Sequence, residues 1–339
     1  MNELSPEMQG AIKAACWGKT HIKLTVGTLM DGEKTIRAFD ATGEIPDGNH
    51  LYEIGSNTKT IVASLLAKYV HEGKMSLDDS VSKYIDGLDK NTYYPTLKRL
   101  ATHTAGYDWS MPVSLGLGLK LMFNTTFRSS ANKGVLPFNV DEAKLKQLMQ
   151  KNRKQDRDYP YQYANFGFAV LGHAIGAVSG RGYWDTMDDY LTTELGMTNS
   201  STGRRAGKKL HGFDKKNRDI GNWDWGDDFM APAGDVFSTA DDMLTYAKNN
   251  MHDGLPYLAL CHKKHAEMSK QFADRFVAGL GWPLDKNNNN ILVGSGGTGA
   301  FHTLLVVDRQ KKIAYTALSN YHIDLVKFLA VVLDEVKKS

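Results

Sequence analysis

Residues 53–73 read EIGSNTKTIVASLLAKYVHEG, and this stretch is the most informative in the chain. Apolar residues recur at helical spacing from Ser56 to Glu72, and Gly73 then ends the pattern, which predicts a helix. Ser56 and Lys59 lie three residues apart at its start, so their side chains share one face. The spacing therefore places a lysine amine within reach of a serine hydroxyl at a helix N-terminus.

That pair suits nucleophilic catalysis. An unprotonated Lys59 amine can accept the proton of Ser56, and the helix N-terminus favours the oxyanion formed when the serine attacks a carbonyl. Burial or a neighbouring cation would have to lower the pKa of the lysine for this to occur. In the alternative interpretation, Ser56 only caps the helix and Lys59 is a solvated surface residue.

Strand patterns occur towards both ends of the chain. Residues 21–30 and 34–39 alternate around Asp31-Gly32, a favoured hairpin dipeptide, while 276–285, 301–308 and 311–320 read as further strands before a helix at 323–337. Between them the sequence is helical and irregular, and Thr239 to Asp242 form a capping box that opens another helix. We therefore predict an α/β (α+β) architecture with a sheet domain of residues 1–80 plus 226–339, an inserted helical domain of residues 81–225, and the active-site cleft between them.

Several segments resemble one enzyme family in the same order along the chain. They are YEIGSNTK at 52–59, LKRLATHTAGY at 97–107, YQYANFGF at 161–168, PAGDVFSTADDM at 232–243 and AGLGW at 278–282. Ser-x-x-K is a motif of β-lactamases and penicillin-binding proteins, and the set resembles the family of class C β-lactamases, penicillin-binding proteins and family VIII esterases. The resemblance implies a β-lactamase/transpeptidase-like fold, in which an antiparallel sheet is flanked by helices and carries an inserted all-helical domain.

The same resemblance assigns roles to residues of the Tyr-x-Asn segment. Tyr163 is expected to point its phenol at Ser56 and to act as base or proton relay, with its pKa lowered beside Lys59. Asn165 is expected to hydrogen-bond Lys59 and the substrate. The alternatives are a core tyrosine and a turn asparagine. His103, in the ATHTAG segment, is expected to be a buried residue that organises a turn.

The third motif of the family departs from its usual form. Residues 293–301 read VGSGGTGAF, so Gly294 stands where the family has a lysine or histidine, and Ser295 and Gly296 fill the other two places. By the same count, the backbone N–H groups of Ser56 and Gly297 would form the oxyanion hole. The missing cation weakens carboxylate recognition at the substrate-binding residues 294–296, which argues against an efficient β-lactamase.

Composition limits the partners. Lys plus Arg number 41 against 38 Asp plus Glu, and a net charge of +3 does not favour nucleic acid. Cys16 and Cys261 are expected to be inert thiols, and the 261–265 tract lacks the spacing of a metal site, so no metal and no cofactor are expected. No signal-like or membrane-spanning run is apparent, so the expectation is a soluble cytoplasmic protein, or an exported one if the chain is part of a longer precursor.

The expected function is acyl transfer to water through an acyl-Ser56 intermediate. A small carboxylic ester, including a D-alanyl ester, is the favoured substrate, followed by a D-alanyl peptide and then a β-lactam. Two further functions stay open. One is an acyltransferase, for which the apolar, Gly-rich segment 112–127 would form an acyl-binding wall or lid, and the second is a non-catalytic ligand-binding homologue. That segment could equally be a packed helix, and the oligomeric state is left open.

Overall fold

A computed structural model describes residues 4–46, 48–107, 138–223, 225–251, 254–269 and 273–338. Its largest element is an antiparallel sheet of nine strands, which are β1 Leu24–Met30, β2 Glu33–Asp40, β3 Gly43–Ile45, β7 Ala266–Glu267, β8 Phe276–Ala278, β9 Pro283–Asp285, β10 Ile291–Gly297, β11 His302–Asp308 and β12 Ile313–Ser319. Their order across the sheet is β3-β2-β1-β12-β11-β10-β9-β8-β7. A second, three-stranded sheet has the order β4-β6-β5, with β4 at Tyr52–Glu53, β5 at Ser201–Thr202 and β6 at Val236–Ser238.

The two ends of the chain build the large sheet together, as predicted. Asp31 and Gly32 connect β1 to β2 with φ angles of 51° and 82°, which fits a two-residue hairpin turn. On its other side, β1 pairs with β12 along six residue pairs, from Leu24 opposite Ser319 to Leu29 opposite Ala314. An N-terminal hairpin is thus joined directly to the last strand.

Helices cover both faces of the large sheet. The α-helices of the described ranges are α1 Pro6–Cys16, α2 Thr58–His71, α3 Leu97–Ala101, α4 Glu142–Lys151, α5 Asn165–Ser179, α6 Gly182–Asp189, α7 Ala240–Met251 and α8 Leu325–Lys338. On one face, α1 and α8 pack in a core with alternate residues of the strands, such as Val293 and Val306. The opposite residues, such as Leu292 and Leu305, join a larger core with α2, α5 and α7.

Two helix starts show how local signals act. Ser5 accepts a hydrogen bond from the Met8 N–H and Pro6 is the first residue of α1, a helix absent from the sequence-based prediction. Thr239 accepts a bond from the Asp242 N–H before α7, as predicted, but the Asp242 carboxylate does not close a reciprocal box. It accepts instead from Asn199 and Ser200, and so ties α7 to the loop before β5.

The segment between the two strand-rich ends contains helices α3 to α6 and the short strand β5. The division of the chain at residues 80 and 225 stays a prediction. The lid or acyl-wall hypothesis concerns residues 112–127, which lie outside the described residues. No helix in the described ranges is both long enough and apolar enough to span a bilayer.

Candidate active site

Ser56 lies in a 3₁₀ turn, Gly55–Asn57, that leads directly into α2, so the regular helix begins two residues later than predicted. Gly55 has a φ of 52°, in the left-handed region, and a Cβ there would lie 2.8 Å from the backbone nitrogen of Gly297. Only glycine therefore allows this turn to approach strand β10. The approach brings Ser56 beside the C-terminal end of β10.

Two side chains converge on the Ser56 hydroxyl. Tyr163 donates from its phenol to Ser56 Oγ over 2.5 Å, and the Lys59 Nζ lies 3.0 Å from the same oxygen. The Lys59 amine also donates to the backbone carbonyl of Ala233 over 2.5 Å. Its nitrogen lies 4.9 Å from the centre of the Tyr163 ring. The structure thus brings together three of the four residues to which sequence reasoning gave catalytic roles.

Burial sets the protonation of this cluster. Lys59 is 2% exposed, and burial lowers its pKa well below 10.5, which favours the neutral amine. Burial raises the pKa of Tyr163 above its ordinary 10, despite the hydrogen bond with Ser56, so the phenol keeps its proton. The expectation of a lowered Tyr163 pKa was therefore wrong, because the loss of solvation of a phenolate here outweighs the hydrogen bond with Ser56.

Asn165 is placed differently from the expectation. It is the first residue of α5, and the part of the chain that the structure describes contains no hydrogen bond between its carboxamide and Lys59. The carbonyl of Ala233 takes that place as the second acceptor of the amine. Sequence reasoning missed Ala233 because a backbone carbonyl leaves no mark on residue identity, although the PAGD segment around it was singled out.

His103 holds the Tyr163 segment in position. Its Nδ1 accepts from the Ala164 N–H over 3.0 Å, and its carbonyl accepts from the Gln162 N–H over 2.8 Å. The imidazole packs 4.6 Å, centre to centre, from the Tyr163 ring. Burial, followed by the effect of Lys59, lowers its pKa to about 3, so it stays neutral. These contacts agree with the structural role expected of it.

Strand β10 forms the wall opposite the Ser56 turn. Gly297 faces His302 across the β10–β11 ladder, and the next pair is joined by a bond from the Thr298 N–H to the Phe301 carbonyl. Because hydrogen-bonded and non-bonded pairs alternate in an antiparallel ladder, the Gly297 N–H points away from β11. It is therefore available to a substrate oxygen beside Ser56, although its oxyanion role stays a prediction.

Ser56 opens onto a narrow cavity of about 70 Å³. Its wall includes Lys59, Tyr163, Gly294 and Ser295, and it is completed by Thr60, Ala101, Thr102, His103, Tyr161, Met268, Ala278, Gly279, Gly281, Trp282 and Pro283. A cavity of this size and lining accommodates a small acyl or leaving group beside the nucleophile.

Side chains of the 261–265 tract make hydrogen bonds within the protein. The Cys261 thiol is buried and contacts the Ala63 carbonyl at 3.5 Å, His262 hydrogen-bonds Asn250, and His265 hydrogen-bonds the Leu260 carbonyl. Over the described ranges no three His, Cys, Asp or Glu side chains are grouped so as to hold a metal ion.

Glu53, just before the Ser56 turn, gives the protein a testable pH dependence. It is 1% exposed, accepts from the Trp223 N–H over 2.6 Å, and burial raises its pKa to about 7. A carboxyl whose pKa is raised on folding supports the folded state most at low pH, and that support is lost as the pH rises from the unfolded value of 4.5 towards 7.

The wild type therefore loses this support as the pH rises, and Glu53→Gln does not. We expect the difference in unfolding free energy, variant minus wild type, to increase by about 2–3 kcal/mol from pH 4.5 to pH 8, measured by denaturant titration. Glu44→Gln is the matched control, since Arg37 lowers the pKa of that carboxyl and the sign reverses. Parallel pH curves for wild type and Glu53→Gln would contradict the assignment.

A family model described as Beta-lactamase matches residues 26–328. The chain belongs to the β-lactamase family. Members of this family are serine hydrolases, and the recognition made from the sequence motifs is confirmed.

This β-lactamase-family protein is similar to two bacterial proteins along most of its length. It is 26% identical over 333 residues to the D-alanyl-D-alanine-carboxypeptidase/endopeptidase AmpH of Escherichia coli strain K12, covering 87% of this chain and 78% of that protein. It is 21% identical over 325 residues to Protein flp of Staphylococcus aureus strain MRSA252, covering 91% of this chain and 59% of the relative.

Solved structures share its fold. The class C β-lactamase from Rhodobacter sphaeroides superposes with a TM-score of 0.78 at 17% identity, covering 98% of this chain and 99% of the other. The D-stereospecific amidohydrolase from a Streptomyces species gives a TM-score of 0.75 at 20% identity, covering 96% and 98%. The β-lactamase/transpeptidase-like fold expected of this β-lactamase-family protein is therefore confirmed.

Proposed function

We propose that this protein hydrolyses small carboxylic esters, including D-alanyl esters, through an acyl-Ser56 intermediate. The observation that carries the proposal is the convergence of a buried amine and a partly buried phenol on one hydroxyl, at 3.0 Å and 2.5 Å. Hydrogen-bonding distance between nucleophile and base is the geometric signature of an activated nucleophile. A protein that only binds ligands has no need for this arrangement.

Each group has one task in the proposed acylation step. The neutral Lys59 amine accepts the Ser56 proton as Oγ bonds to the ester carbonyl carbon, and the N–H groups of Ser56 and Gly297 stabilise the resulting oxyanion. As the carbonyl re-forms, the bond to the leaving alcohol breaks and Tyr163 gives its proton to the departing oxygen. Lys59 then returns the proton to Tyr163, which restores both neutral groups.

Deacylation reverses the same proton path. Water takes the place of the leaving alcohol, loses a proton to the Tyr163–Lys59 pair, and attacks the acyl carbon. The bond to Ser56 Oγ then breaks, the serine regains its proton, and the carboxylic acid leaves. No group outside the described cluster is needed to balance protons in either step.

A D-alanyl peptidase is the second candidate. It is favoured by the similarity to the carboxypeptidase/endopeptidase AmpH, whose name states its activity on D-alanyl-D-alanine. The absence of a cation at Gly294 ranks it below the esterase, because a peptidase that removes a terminal residue must accommodate a free carboxylate. The acyltransferase hypothesis rests on residues 112–127 and receives no support from the described structure.

Covalent labelling of the wild-type protein tests these proposals. We expect p-nitrophenyl butyrate to be turned over, with a transient butyryl adduct that intact-mass spectrometry detects after acid quench and peptide mapping assigns to Ser56. Benzylpenicillin is expected to leave little adduct. A lasting penicilloyl group on Ser56 would favour the peptidase instead, and no Ser56 adduct with either compound would overturn acyl transfer altogether.

A further inference from the structure

The side of β10 that faces α2 has no room for a side chain at position 294. A Cβ on Gly294 would lie 2.3 Å from Asn57 Oδ1 and 3.3 Å from the Trp282 ring. Trp282 is 1% exposed and stacks on Tyr246, 6.0 Å between ring centres, so it cannot move aside easily. The position at which the family carries a cation is therefore closed by the carboxamide of Asn57.

A chain of hydrogen bonds fixes the orientation of that carboxamide. Thr303 Oγ1 donates its one proton to the Ile54 carbonyl over 2.9 Å, so towards Asn57 it can only accept. Asn57 accordingly donates its Nδ2 to Thr303 over 2.8 Å and turns its oxygen towards Gly294. This oxygen is buried and has no hydrogen-bond donor within the described residues.

The charge around the cavity acts in the same direction. Lys59 is the one lysine or arginine on the described cavity wall, and its burial favours the neutral amine. His103 is neutral as well. A substrate carboxylate placed against Gly294 would therefore meet no counter-charge from the described wall, and it would lie near an unpaired carbonyl oxygen, which is electrostatically unfavourable in a desolvated site.

We propose that Asn57 is a specificity-determining residue which makes the Gly294 side of the cavity select substrates without a carboxylate beside the scissile carbonyl. Asn57 acts in two ways: it fills the space that a basic side chain at position 294 would need, and its carboxamide oxygen adds partial negative charge behind the cavity wall. The inference rests on the proposed acyl transfer and narrows its substrate class to esters without a carboxylate beside the scissile carbonyl.

Two aryl esters that differ in one charge give a direct test. The phenylacetyl ester of 3-hydroxybenzamide is uncharged, whereas the ester of 3-hydroxybenzoic acid carries a carboxylate at the same place. We expect the wild type to prefer the uncharged ester by about tenfold or more in kcat/KM, mostly through KM, since repulsion weakens binding of the charged substrate. Equal kcat/KM values for the two esters would overturn the inference while leaving the acyl-enzyme proposal intact.

Variants separate charge from bulk. Asn57→Ala/Gly294→Lys is expected to shift the preference towards the carboxylate ester by about tenfold or more, whereas Asn57→Ala/Gly294→Met, similar in bulk but uncharged, is expected to shift it by clearly less, because it removes the carboxamide oxygen without adding a cation. Asn250→Ala is the matched buried-asparagine control, since Asn250 contacts His262 away from the cavity. An unchanged preference in a folded Asn57→Ala/Gly294→Lys protein would overturn the proposal.

A thermal-unfolding cycle tests the same contact without any substrate. Gly294→Lys alone is expected to lower the unfolding temperature more than the Asn57→Ala/Gly294→Lys protein, because removing the carboxamide makes room for the new side chain. Strictly additive shifts would show that Asn57 does not close this position. Because the cycle needs no turnover, its outcome is independent of whether the esters are substrates.

Discussion

We expect Ser56→Ala and Lys59→Met each to reduce ester turnover by about 10³-fold or more while the protein stays folded. Ser56→Ala removes the atom that bonds to the acyl group. Lys59→Met keeps a buried side chain of similar length but removes the nitrogen 3.0 Å from Ser56 Oγ. Since burial already opposes charge on Lys59, the methionine variant is expected to unfold at a higher temperature than the wild type. Stopped-flow acylation and thermal unfolding measure the two effects.

The double variant and a surface control make this prediction specific. Residues that act as one unit are not additive, so Ser56→Ala/Lys59→Met is expected to be no less active than either single variant. Lys68→Met removes a lysine of the same helix that pairs with Glu72 and Glu194 on the surface, and it is expected to retain activity. If Lys59→Met acylates within tenfold of the wild type, Lys59 is not the base.

Gly296→Ala is expected to destabilise the protein by about 3 kcal/mol or more and to abolish acylation. A Cβ at this position would lie 1.9 Å from the Ile54 carbonyl oxygen and 2.6 Å from the Thr303 hydroxyl. Ile54 precedes the Ser56 turn, so the methyl group can be accommodated only if β10 and this turn move apart. That movement would separate the N–H groups of Ser56 and Gly297. Denaturant titration and acylation with p-nitrophenyl butyrate measure the two losses.

The neighbouring glycine supplies the control for strand stability. At Gly297 a Cβ would lie 3.3 Å from the His302 side chain, a contact that a small ring movement relieves. Gly297→Ala is therefore expected to change the unfolding free energy by less than about 1 kcal/mol. If Gly296→Ala proves as stable as Gly297→Ala, the close contact between β10 and Ile54 is not present in solution.

Local patterns predicted the parts of this site that depend on spacing alone. The three-residue separation of Ser56 and Lys59 placed both on one face, and their atoms lie 3.0 Å apart even though the first turn is 3₁₀. The Asp31-Gly32 dipeptide predicted the hairpin between β1 and β2. Order along the chain placed Tyr163 beside Ser56 through the family resemblance, which no spacing rule could have done across 107 residues.

The remaining features depend on how distant segments pack. The raised pKa of Tyr163 follows from desolvation by the surrounding residues, which residue identity does not reveal. The Ala233 carbonyl is a backbone group, so its contact with Lys59 does not depend on residue type. In the sequence Asn57 is one polar residue near a helix start, and its role is visible only from its contacts with Gly294 and Thr303 in the folded protein. Such contacts are set by the tertiary structure, so a single sequence leaves them undetermined.

The pairing of β1 with β12 has a consequence for folding during translation. Met30 ends the first strand and Ile313 begins its partner, so at about 5–20 residues per second the first hairpin waits roughly 15–60 s for the segment that completes its sheet. During that interval the backbone N–H and C=O groups on the β12 side of β1 stay unpaired, and strands of other chains can bind them. Strand β10 likewise lacks β11 until residue 308 has been made. The Ser56 turn packs against β10, so the nascent chain completes both its sheet and its cleft only near the end of synthesis, and the unpaired edge of β1 is open to aggregation until then.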